Sequence, residues 1–465
     1  MKKILFLFLV ICSTQGFAQK INQVFNTAFK SFASDSTFKH ATIALYVINN
    51  TTGVAVTEVN PEIGVAPASC QKVITATTAF ALLGHDYTYK TTLGYTGKIV
   101  NGVLNGNLIL KGSGDPTLGS WRYSTANEES VIDDFKKAVS REGIHEITGH
   151  VYADENLWQS EATPDGWNWQ DIGNYYGAGA RALNWRENQY DLYLRSGKNI
   201  GDPVKIAGTK PSYVYGLHLK SKVTSGAKGS GDNNYIYIPL GEEYGYVRGT
   251  TPVNEDHFTI SGAMPNGAVQ LAMTLEAALK NTSIEKVSAG YPKESNLENV
   301  KVFYTYTSPV LDSIIFHFLR RSINLYGEAL IKTLAYKYTN AGVTDSGVTV
   351  IQNFWKDKGI EPYAINIMDG SGLSPSNRVT TKALVTVMEY ARKQSWFPSF
   401  FDALPTIAGF KMKSGSINGV ISYTGFIKGK DNNDYTFSFV VNNYDGSDNN
   451  VRKKMWKLLG VLRGD

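Results

Sequence analysis

The sequence predicts an α+β protein whose antiparallel sheet is flanked by helices and interrupted by a long β-rich insertion. Apolar residues recur at helical spacing near both ends of the chain, whereas the middle consists of short alternating runs separated by Gly, Asn and Asp. The 465 residues are enough for two or three domains with a sizeable core. Charged residues make up only 19% of the chain, which argues against a disordered protein or a coiled coil.

The N-terminal part of the chain predicts a helix, a hairpin and a second helix. The segment INQVFNTAFKSFAS, residues 21–34, has the apolar spacing of an amphipathic helix. The alternating runs ATIALYVINN and GVAVTEV follow around the turn NNTTG and predict two paired strands. An apolar helix that begins near Ser69 completes this packed unit.

The rest of the chain alternates between a β-rich middle and a mixed C-terminal part. From about Tyr95 to Val300, runs such as YDLYLRSG, NYIYIPLG and YGYVRGT predict one or two inserted modules, with Ser225 to Asn234 as an exposed hairpin tip. Helical spacing returns at SPVLDSIIFHFLRR, NLYGEALIKTLAYKY and TTKALVTVMEYARKQ. The strands FKMKSG, GVISYTGFIKG and DYTFSFVVNN and a last amphipathic helix follow.

Residues 1–18 have the pattern of a cleaved secretory signal. Lys2 and Lys3 precede the apolar run Ile4–Cys12, and small residues lead up to Ala18. The run is too short to span a bilayer, and the bulky Ile11 before Cys12 disfavours a lipoprotein signal. We therefore expect an exported, periplasmic protein.

Charge and cysteine content narrow the classes of partner. Removal of the signal lowers the formal net charge from +5 to +3, an excess too small and too scattered for a nucleic-acid-binding protein. That charge is compatible with loose peripheral association with an anionic envelope surface, and the sequence predicts no oligomeric state. The mature chain keeps only Cys70, so it can form no internal disulfide.

The first candidate for chemistry is the pair Ser69 and Lys72, in the segment PASCQKVITA. Three residues apart at the start of a helix, the two side chains share one face. A lysine amine can act as a base only when burial or a neighbouring cation lowers its pKa, and the following apolar helix can supply the burial. Taken alone, the spacing is more typical of a capping serine and a solvated lysine.

Two further segments carry polar side chains suited to the same chemistry. Ser322 and Asn324, in RSINLYGEAL, fall in a break between two predicted helices, where a hydroxyl can relay a proton and an amide can hold a peptide group. Lys413, Ser414 and Gly415 lie at the end of a predicted strand, an arrangement that suits the docking of an extended ligand with a terminal carboxylate. Taken alone, Ser322 and Asn324 are more simply explained as a helix cap. The segment at Lys413 is more simply explained as a solvated strand end.

The order S-x-x-K, S-x-N and K-[ST]-G along the chain is the signature of penicillin-recognising serine enzymes. Three further segments resemble those of the same enzymes: LKGSGDPTL, GWNWQDIGNYYGAGARALNWREN and MDGSGLSPSNRVT. Together with the three motifs, this resemblance covers nearly the whole mature chain. The sequence resembles the class C low-molecular-mass penicillin-binding proteins, the D-alanyl-D-alanine carboxypeptidase/endopeptidase family.

The resemblance implies a serine-type D-Ala-D-Ala carboxypeptidase, with DD-endopeptidase activity as an extension, acting on peptidoglycan stem peptides and acylated by β-lactam antibiotics. It implies a penicillin-recognising, transpeptidase-like catalytic domain formed by residues 19–95 and 300–465. Residues 96–185 and 263–299 would form an inserted domain, and residues 186–262 a second, nested β-rich one.

The resemblance also implies a role for each candidate side chain. Ser69 would be the nucleophile and Lys72 its base, kept neutral by burial and by cationic Lys413; a relay in place of Lys72 is the alternative base. Backbone N–H groups of Ser69 and Ser416 would hold the oxyanion. Ser322 would relay a proton, and Asn324 would orient the acyl chain. The terminal carboxylate of the substrate would bind at Lys413, Ser414 and Gly415.

Three departures from the family pattern concern the edges of this site. Cys70 stands where a threonine is usual, and Ser414 replaces the commoner threonine. LPTIAGFKMKSG runs almost directly into the third motif, so we expect a trimmed rim near Lys413.

Other catalytic classes find little support. His145 and His150, in HEITGH, are five residues apart and do not share the helical face that zinc ligands need, and GSGDPT has Thr117 where a dinucleotide loop needs glycine. The chain has no P-loop and no G-x-S-x-G elbow, and we predict neither a cofactor nor a metal. A Cys70–His nucleophile, a β-lactamase or esterase of the same fold, and a non-catalytic wall-binding relative are the alternatives.

Overall fold

The computed structural model describes residues 21–158, 161–239, 243–279, 286–288, 299–431 and 433–465. The predicted signal segment, residues 1–18, lies outside these described residues. Contacts divide the chain into two compact units, the first made of Met1–Leu82, Ile315–Ser322 and Ile351–Asp465, the second of Leu83–Ile314 and Ile323–Val350. The three predicted domains have other boundaries and stay a prediction.

The described residues contain helices of four to sixteen residues. In chain order they are α1 (21–33), α2 (Lys72–Leu83), α3 (Glu128–Arg141), α4 (Trp169–Ile172), α5 (Gly267–Ala278), α6 (Leu311–Arg321), α7 (Asn324–Thr339), α8 (Thr344–Lys356), α9 (Thr381–Arg392), α10 (Phe397–Ala403) and α11 (Asp448–Arg463). No helix among them is both long and apolar enough to cross a membrane.

Strands account for most of the remaining regular structure. In chain order they are β1 (Thr42–Asn49), β2 (Ala55–Val59), β3 (Lys90–Tyr95), β4 (Lys98–Val100), β5 (Val103–Asn105), β6 (Leu108–Lys111), β7 (Glu146–Ile147), β8 (His150–Asp154), β9 (Gln189–Arg195), β10 (Lys205–Lys210), β11 (Leu219–Gly226), β12 (Tyr235–Tyr237), β13 (Gly245–Pro252), β14 (Phe258–Ala263), β15 (Lys286–Ser288), β16 (Lys301–Thr307), β17 (Ile365–Asn366), β18 (Arg378–Val379), β19 (Thr406–Ile407), β20 (Phe410–Ile417), β21 (Val420–Lys428) and β22 (Asp434–Asn442).

The first unit is built on a six-stranded antiparallel sheet in the order β19-β20-β21-β22-β1-β2. Apolar side chains on one face of this sheet pack against apolar side chains of α1 and α11 in one core. For example, Phe25 and Met455 belong to the same cluster as Phe437 and Phe439. The helix α9 packs against β1, β21 and β22. The predicted α+β class, an antiparallel sheet flanked by helices, is confirmed.

The second unit contains a five-stranded sheet in the order β15-β8-β6-β3-β16, with α5 packed on β8 and α3 on β16. Two three-stranded sheets, β10-β9-β14 and β11-β13-β12, lie farther along the same unit. They share one apolar core, to which Leu192, Val223, Ile236, Val247 and Ile260 contribute. The predicted β-rich character of the middle of the chain is therefore present.

The predicted hairpin tip at Ser225 to Asn234 is wrong. The strands on either side of it, β11 and β12, do not pair with each other, because both pair with β13 from opposite sides. The pairing of β11 with β13 is parallel, so this segment is a connection that crosses to the other edge of β13. Local turn composition identifies a loop but does not reveal which strands it joins.

A tight turn explains the short segment before the third motif. The residues between β19 and β20 are Ala408 and Gly409, both with positive φ, 49° and 82°. Two such residues form the type of turn that joins antiparallel strands with a two-residue loop. The segment expected to be trimmed is thus a minimal hairpin, and β20 continues beyond the predicted strand end to Ile417.

Candidate active site

Ser69 lies in a strained turn at the mouth of α2. It belongs to a 3-10 turn, Ala68–Gln71, that leads directly into the helix at Lys72. Ala68 has a φ of +45°, a conformation that costs free energy for a residue with a side chain and that the surrounding packing must hold. Gly372 supports it, since a Cβ there would collide with the Ala68 carbonyl oxygen.

Lys72 is fully buried and contacts the Ser69 hydroxyl. Its Nζ donates to Ser69 Oγ over 2.9 Å and to the carbonyl oxygen of Ser371 over 2.6 Å. The amine also lies 5.8 Å from the centre of the Phe318 ring. The structure therefore brings the predicted pair together as a hydrogen-bonded unit, and Lys72 is not a solvated surface charge.

The loop that supplies the Ser371 carbonyl is organised around the buried carboxylate of Asp369. Its Oδ1 accepts from the backbone N–H of Gly372 over 2.8 Å and from Asn377 Nδ2 over 3.0 Å, and its Oδ2 accepts from the backbone N–H of Ser374 over 2.7 Å. Gln71, one residue before Lys72, donates to the same carboxylate over 3.0 Å. Asp369 thus joins the Ser371 loop to the start of α2.

The strand β20 passes directly over the backbone of the Ser69 turn. A Cβ at Gly415 would lie 2.7 Å from Ser69 N and 2.8 Å from Pro67 O, and it would also collide with Ser422 Oγ. Ser422 in turn donates to Pro67 O over 2.6 Å. Only glycine lets the two backbones approach this closely, which gives a physical reason for the glycine of the third motif.

Cys70 is buried and faces away from solvent, so it does not fit the role of nucleophile. Its Sγ donates to the carbonyl oxygen of Lys413 over 3.2 Å, and burial raises the pKa of its thiol. A thiol needs to ionise to react, and these surroundings favour the protonated form. The residue ties the Ser69 turn to β20 instead.

Lys413 is buried within β20, with only 1% of its surface exposed. Burial lowers the pKa of its amine to about 8, a value that leaves it charged at neutral pH. Its Nζ donates to the carbonyl oxygen of Ser414 over 2.7 Å. Ser414 is half-buried opposite Tyr423, and Ser416 is exposed, with its Oγ 3.5 Å from Asp448 Oδ2.

The chain passes from the first unit to the second within the second motif. Ser322 belongs to the first unit and has a left-handed backbone, with a φ of +60°, in the break between α6 and α7. Asn324 is the first residue of α7 in the second unit, and its Nδ2 donates to the carbonyl oxygen of Tyr176 over 2.8 Å. The predicted break between two helices is present at these residues.

Sequence reasoning missed Asp369 and Ser371 as parts of the site. The segment MDGSGLSPSN contributes to the sequence-based prediction only through its resemblance to the family. Its Asp-Gly and Ser-Pro pairs are turn signals, and an aspartate in such a turn commonly accepts backbone N–H groups. In the described part of the chain, no cluster of three His, Cys, Asp or Glu side chains is placed to hold a metal ion.

Solved structures share this fold. Penicillin-binding protein 4 (dacB) from Haemophilus influenzae superposes with a TM-score of 0.73 at 22% identity, covering 92% of this chain and 96% of that one. The same protein complexed with a novel β-lactam gives a TM-score of 0.70 at 21% identity, over 92% and 95% of the two chains. The predicted penicillin-recognising fold is confirmed.

Sequence comparison then identifies the family. The profile of the D-Ala-D-Ala carboxypeptidase 3 (S13) family matches residues 25–411, and the chain belongs to this family. A D-alanyl-D-alanine carboxypeptidase of Actinomadura sp. strain R39 is 24% identical over 449 residues, 89% of this chain and 80% of that protein. D-alanyl-D-alanine carboxypeptidase DacB of H. influenzae is 25% identical over 418 residues, 85% and 84% of the two. The family predicted from the motifs is confirmed.

Proposed function

We propose that the protein is a serine D-Ala-D-Ala carboxypeptidase that removes the terminal D-alanine of peptidoglycan stem peptides through an acyl-enzyme on Ser69. The reaction class follows from membership of the family. The observation that carries the assignment to Ser69 is the 2.9 Å hydrogen bond between its Oγ and the buried Nζ of Lys72.

In the first step, neutral Lys72 takes the hydroxyl proton as Ser69 Oγ bonds to the carbonyl carbon of the penultimate residue. A lysine can accept a proton only as the uncharged amine, and burial disfavours its charged form. The carbonyl of Ser371 fixes the direction of the Lys72 side chain. The negative charge that develops on the substrate oxygen would be held by the backbone N–H groups of Ser69 and Ser416.

In the second step, the carbon–nitrogen bond breaks and the amine of D-alanine leaves with a proton relayed through Ser322. Asn324 orients the acyl chain, while Lys413 and Ser414 bind the terminal carboxylate of the substrate. Lys413 suits this task because a pKa of about 8 keeps it cationic at neutral pH. Water then releases the acyl group and regenerates Ser69. Cross-linked stem peptides are further substrates if the same site admits them.

β-Lactams would acylate Ser69 because their strained amide occupies the place of the peptide bond. We expect the adduct to persist longer than in a β-lactamase. The predicted removal of residues 1–18 would deliver the protein to the periplasm, and a mature N-terminus at Gln19 in the exported fraction is the corresponding measurement.

The test combines fluorescent penicillin labelling with D-alanine release from a stem pentapeptide. Ser69→Ala should abolish both, and Lys72→Met should slow both by several orders of magnitude. Ser212→Ala, which removes an exposed hydroxyl of the second unit, is the matched control. Labelling without D-alanine release would favour the β-lactamase or esterase alternative. Absence of both labelling and D-alanine release in the unaltered chain would favour the non-catalytic relative.

A further inference from the structure

One face of the sheet β11-β13-β12 carries a continuous set of aromatic rings and cations. Strand pairing places Tyr237 opposite Tyr246, Tyr235 opposite Arg248, and Lys220 and Lys222 beside Tyr246 and Arg248. The alternate residues of the same strands, among them Val223, Ile236 and Val247, point into the apolar core. We call the outward set the aromatic–cation face: Lys220, Lys222, Tyr235, Tyr237, Tyr246 and Arg248.

The rings of this face form a stacked platform under the charges. The Tyr237 and Tyr246 ring centroids are 5.3 Å apart with an interplanar angle of 22°. The guanidinium of Arg248 lies 4.3 Å from the Tyr237 centroid, and Lys222 Nζ lies 4.2 Å from the Tyr246 centroid. The indole of Trp169, whose Nε1 donates to Ile238 O over 3.2 Å, extends the platform at its β12 edge, 5.0 Å from Tyr237.

The cations of the face are exposed and carry no counter-charge within the described part of the chain. Lys220, Lys222 and Arg248 are solvent-exposed, and none of them forms an ion pair with a described carboxylate. Contact with the rings limits the directions that these long side chains can take. An anion that binds them therefore meets partly ordered cations with their charge still available.

We propose that the aromatic–cation face binds polymeric peptidoglycan, a glycan strand that bears acidic stem peptides. Sugar rings present C–H faces that can lie flat on the exposed rings of Tyr235 and Trp169, whereas Tyr237 is buried and, with Tyr246, supports the cations from below. The stem carboxylates complement the lysine and arginine charges. A bilayer fits less well, because the face has no aliphatic side chain to insert among lipid tails. The choice of peptidoglycan rests on the proposed function, but binding at this face requires no step at Ser69.

The experiment is cosedimentation of the full mature chain with purified, insoluble peptidoglycan sacculi. Lys222→Gln combined with Arg248→Gln should raise the concentration for half-maximal binding at least tenfold. Lys198→Gln combined with Lys205→Gln removes the same charge from exposed positions of the same module that lie over no ring of the described residues, and it should bind as the unaltered chain does. Tyr235→Ala tests the aromatic part separately and should weaken binding at least threefold. Binding of the unaltered chain should fall when NaCl is raised to about 0.5 M, because salt screens exposed charges.

Two results would overturn the proposal. One is a Lys222/Arg248 variant that keeps its unfolding temperature and cosediments as well as the Lys198/Lys205 control. The other is single-stranded DNA displacing the protein from sacculi at a lower concentration than soluble peptidoglycan strands do, which would assign the face to nucleic acid. Penicillin labelling of Ser69, measured in parallel, separates this proposal from the catalytic one. Loss of labelling with intact cosedimentation contradicts only the proposed function.

Discussion

The Nζ of Lys72 donates to the backbone carbonyl of Ser371 over 2.6 Å, so a loop almost 300 residues away in the sequence fixes the direction of the amine that faces Ser69. A carbonyl oxygen can only accept, and it holds one hydrogen of the amine in place. The proposed reaction requires Lys72 to present its lone pair to the Ser69 hydroxyl instead, and the Ser371 carbonyl would hold one amine hydrogen while it does so. The precision of the site depends on the loop as much as on the helix that bears the lysine.

Asp369→Asn tests this dependence on the loop. The amide presents an N–H₂ group where the carboxylate now accepts backbone N–H groups, so at least one buried donor loses its partner. We expect the free energy of unfolding to fall by about 3 kcal/mol and acylation to slow, measured by urea unfolding and by penicillin labelling. Asp357→Asn, an exposed aspartate of the same unit, is the control. Native labelling and native stability in Asp369→Asn would contradict the role of the loop.

Gly415→Ala tests the close approach of β20 to Ser69. The new Cβ would lie 2.7 Å from Ser69 N, so the strand must move away from the turn that carries this N–H, one of the two proposed oxyanion donors. We expect the acylation rate to drop about 100-fold, the scale of losing one oxyanion donor. The measurement is the second-order rate of labelling by a fluorescent penicillin.

The control for this substitution is Gly84→Ala. Gly84 has a φ of +87°, and no atom lies within 4 Å of the place that a Cβ would take, so alanine there adds backbone strain without a collision. Acylation in Gly84→Ala should stay near the native rate. Equal rates in the two variants would mean that contact with the Ser69 turn is unimportant.

The buried amine of Lys413 predicts an alkaline limb in the pH profile. Its pKa is lowered by burial to about 8, so the charge proposed to bind the substrate carboxylate is lost as pH rises through 8. The rate of acylation by a carboxylate-bearing β-lactam should therefore fall up to tenfold per pH unit above that value. A neutral methyl ester of the same β-lactam should lack this dependence on Lys413. A rate that stays flat to pH 10 would count against the assignment.

The titration of Lys413 does not destabilise the folded chain over the pH range in which the acylation rate is expected to fall. The pKa of Lys413 is lower in the folded chain than its ordinary value of 10.5, so the unfolded chain binds more protons between pH 8 and 10.5. The contribution of this group to stability consequently rises with pH across that window. Activity and the Lys413 contribution to stability should move in opposite directions, which thermal unfolding over the same pH range can verify.

Cys70 should not react with thiol reagents in the folded protein. Burial raises the pKa of the thiol and its Sγ is engaged with the Lys413 carbonyl, so iodoacetamide should modify it only on unfolding. Cys70→Thr, which restores the commoner family residue, should label with penicillin as the native chain does. Rapid alkylation of the native protein with loss of penicillin labelling would support the alternative hypothesis that Cys70 is the nucleophile.

Much of the first unit could be predicted from the sequence because its signals are local. The amphipathic spacing of residues 21–34 follows directly from the face that α1 buries. The strand β1 could also be predicted, although the structure buries both of its faces instead of alternate residues. The Ser69–Lys72 contact follows from helical spacing, whereas the burial that makes it chemically useful comes from distant segments. Asp369 was missed because its hydrogen bonds reach the start of α2 from another part of the chain.

The insertion was harder to predict for the same physical reason. Alternating runs identify β11, β12 and β13, but the parallel pairing of β11 with β13 depends on contacts across the whole module.

In the first unit, Ala408 and Gly409 gave no turn signal of the usual kind, since alanine rarely adopts a positive φ. Only the geometry of the hairpin explains why so short a segment suffices there.

The minimal hairpin has a consequence for inhibitor design. Because β19 pairs with β20 only at Thr406 and Ile407, the described chain leaves the outer backbone groups of β20 beyond Lys413 without a neighbouring strand. An extended ligand can add itself there as an extra strand, gaining main-chain hydrogen bonds that no side-chain substitution can remove. Resistance through point mutation would then be harder to acquire against such a compound than against one that relies on side-chain contacts alone.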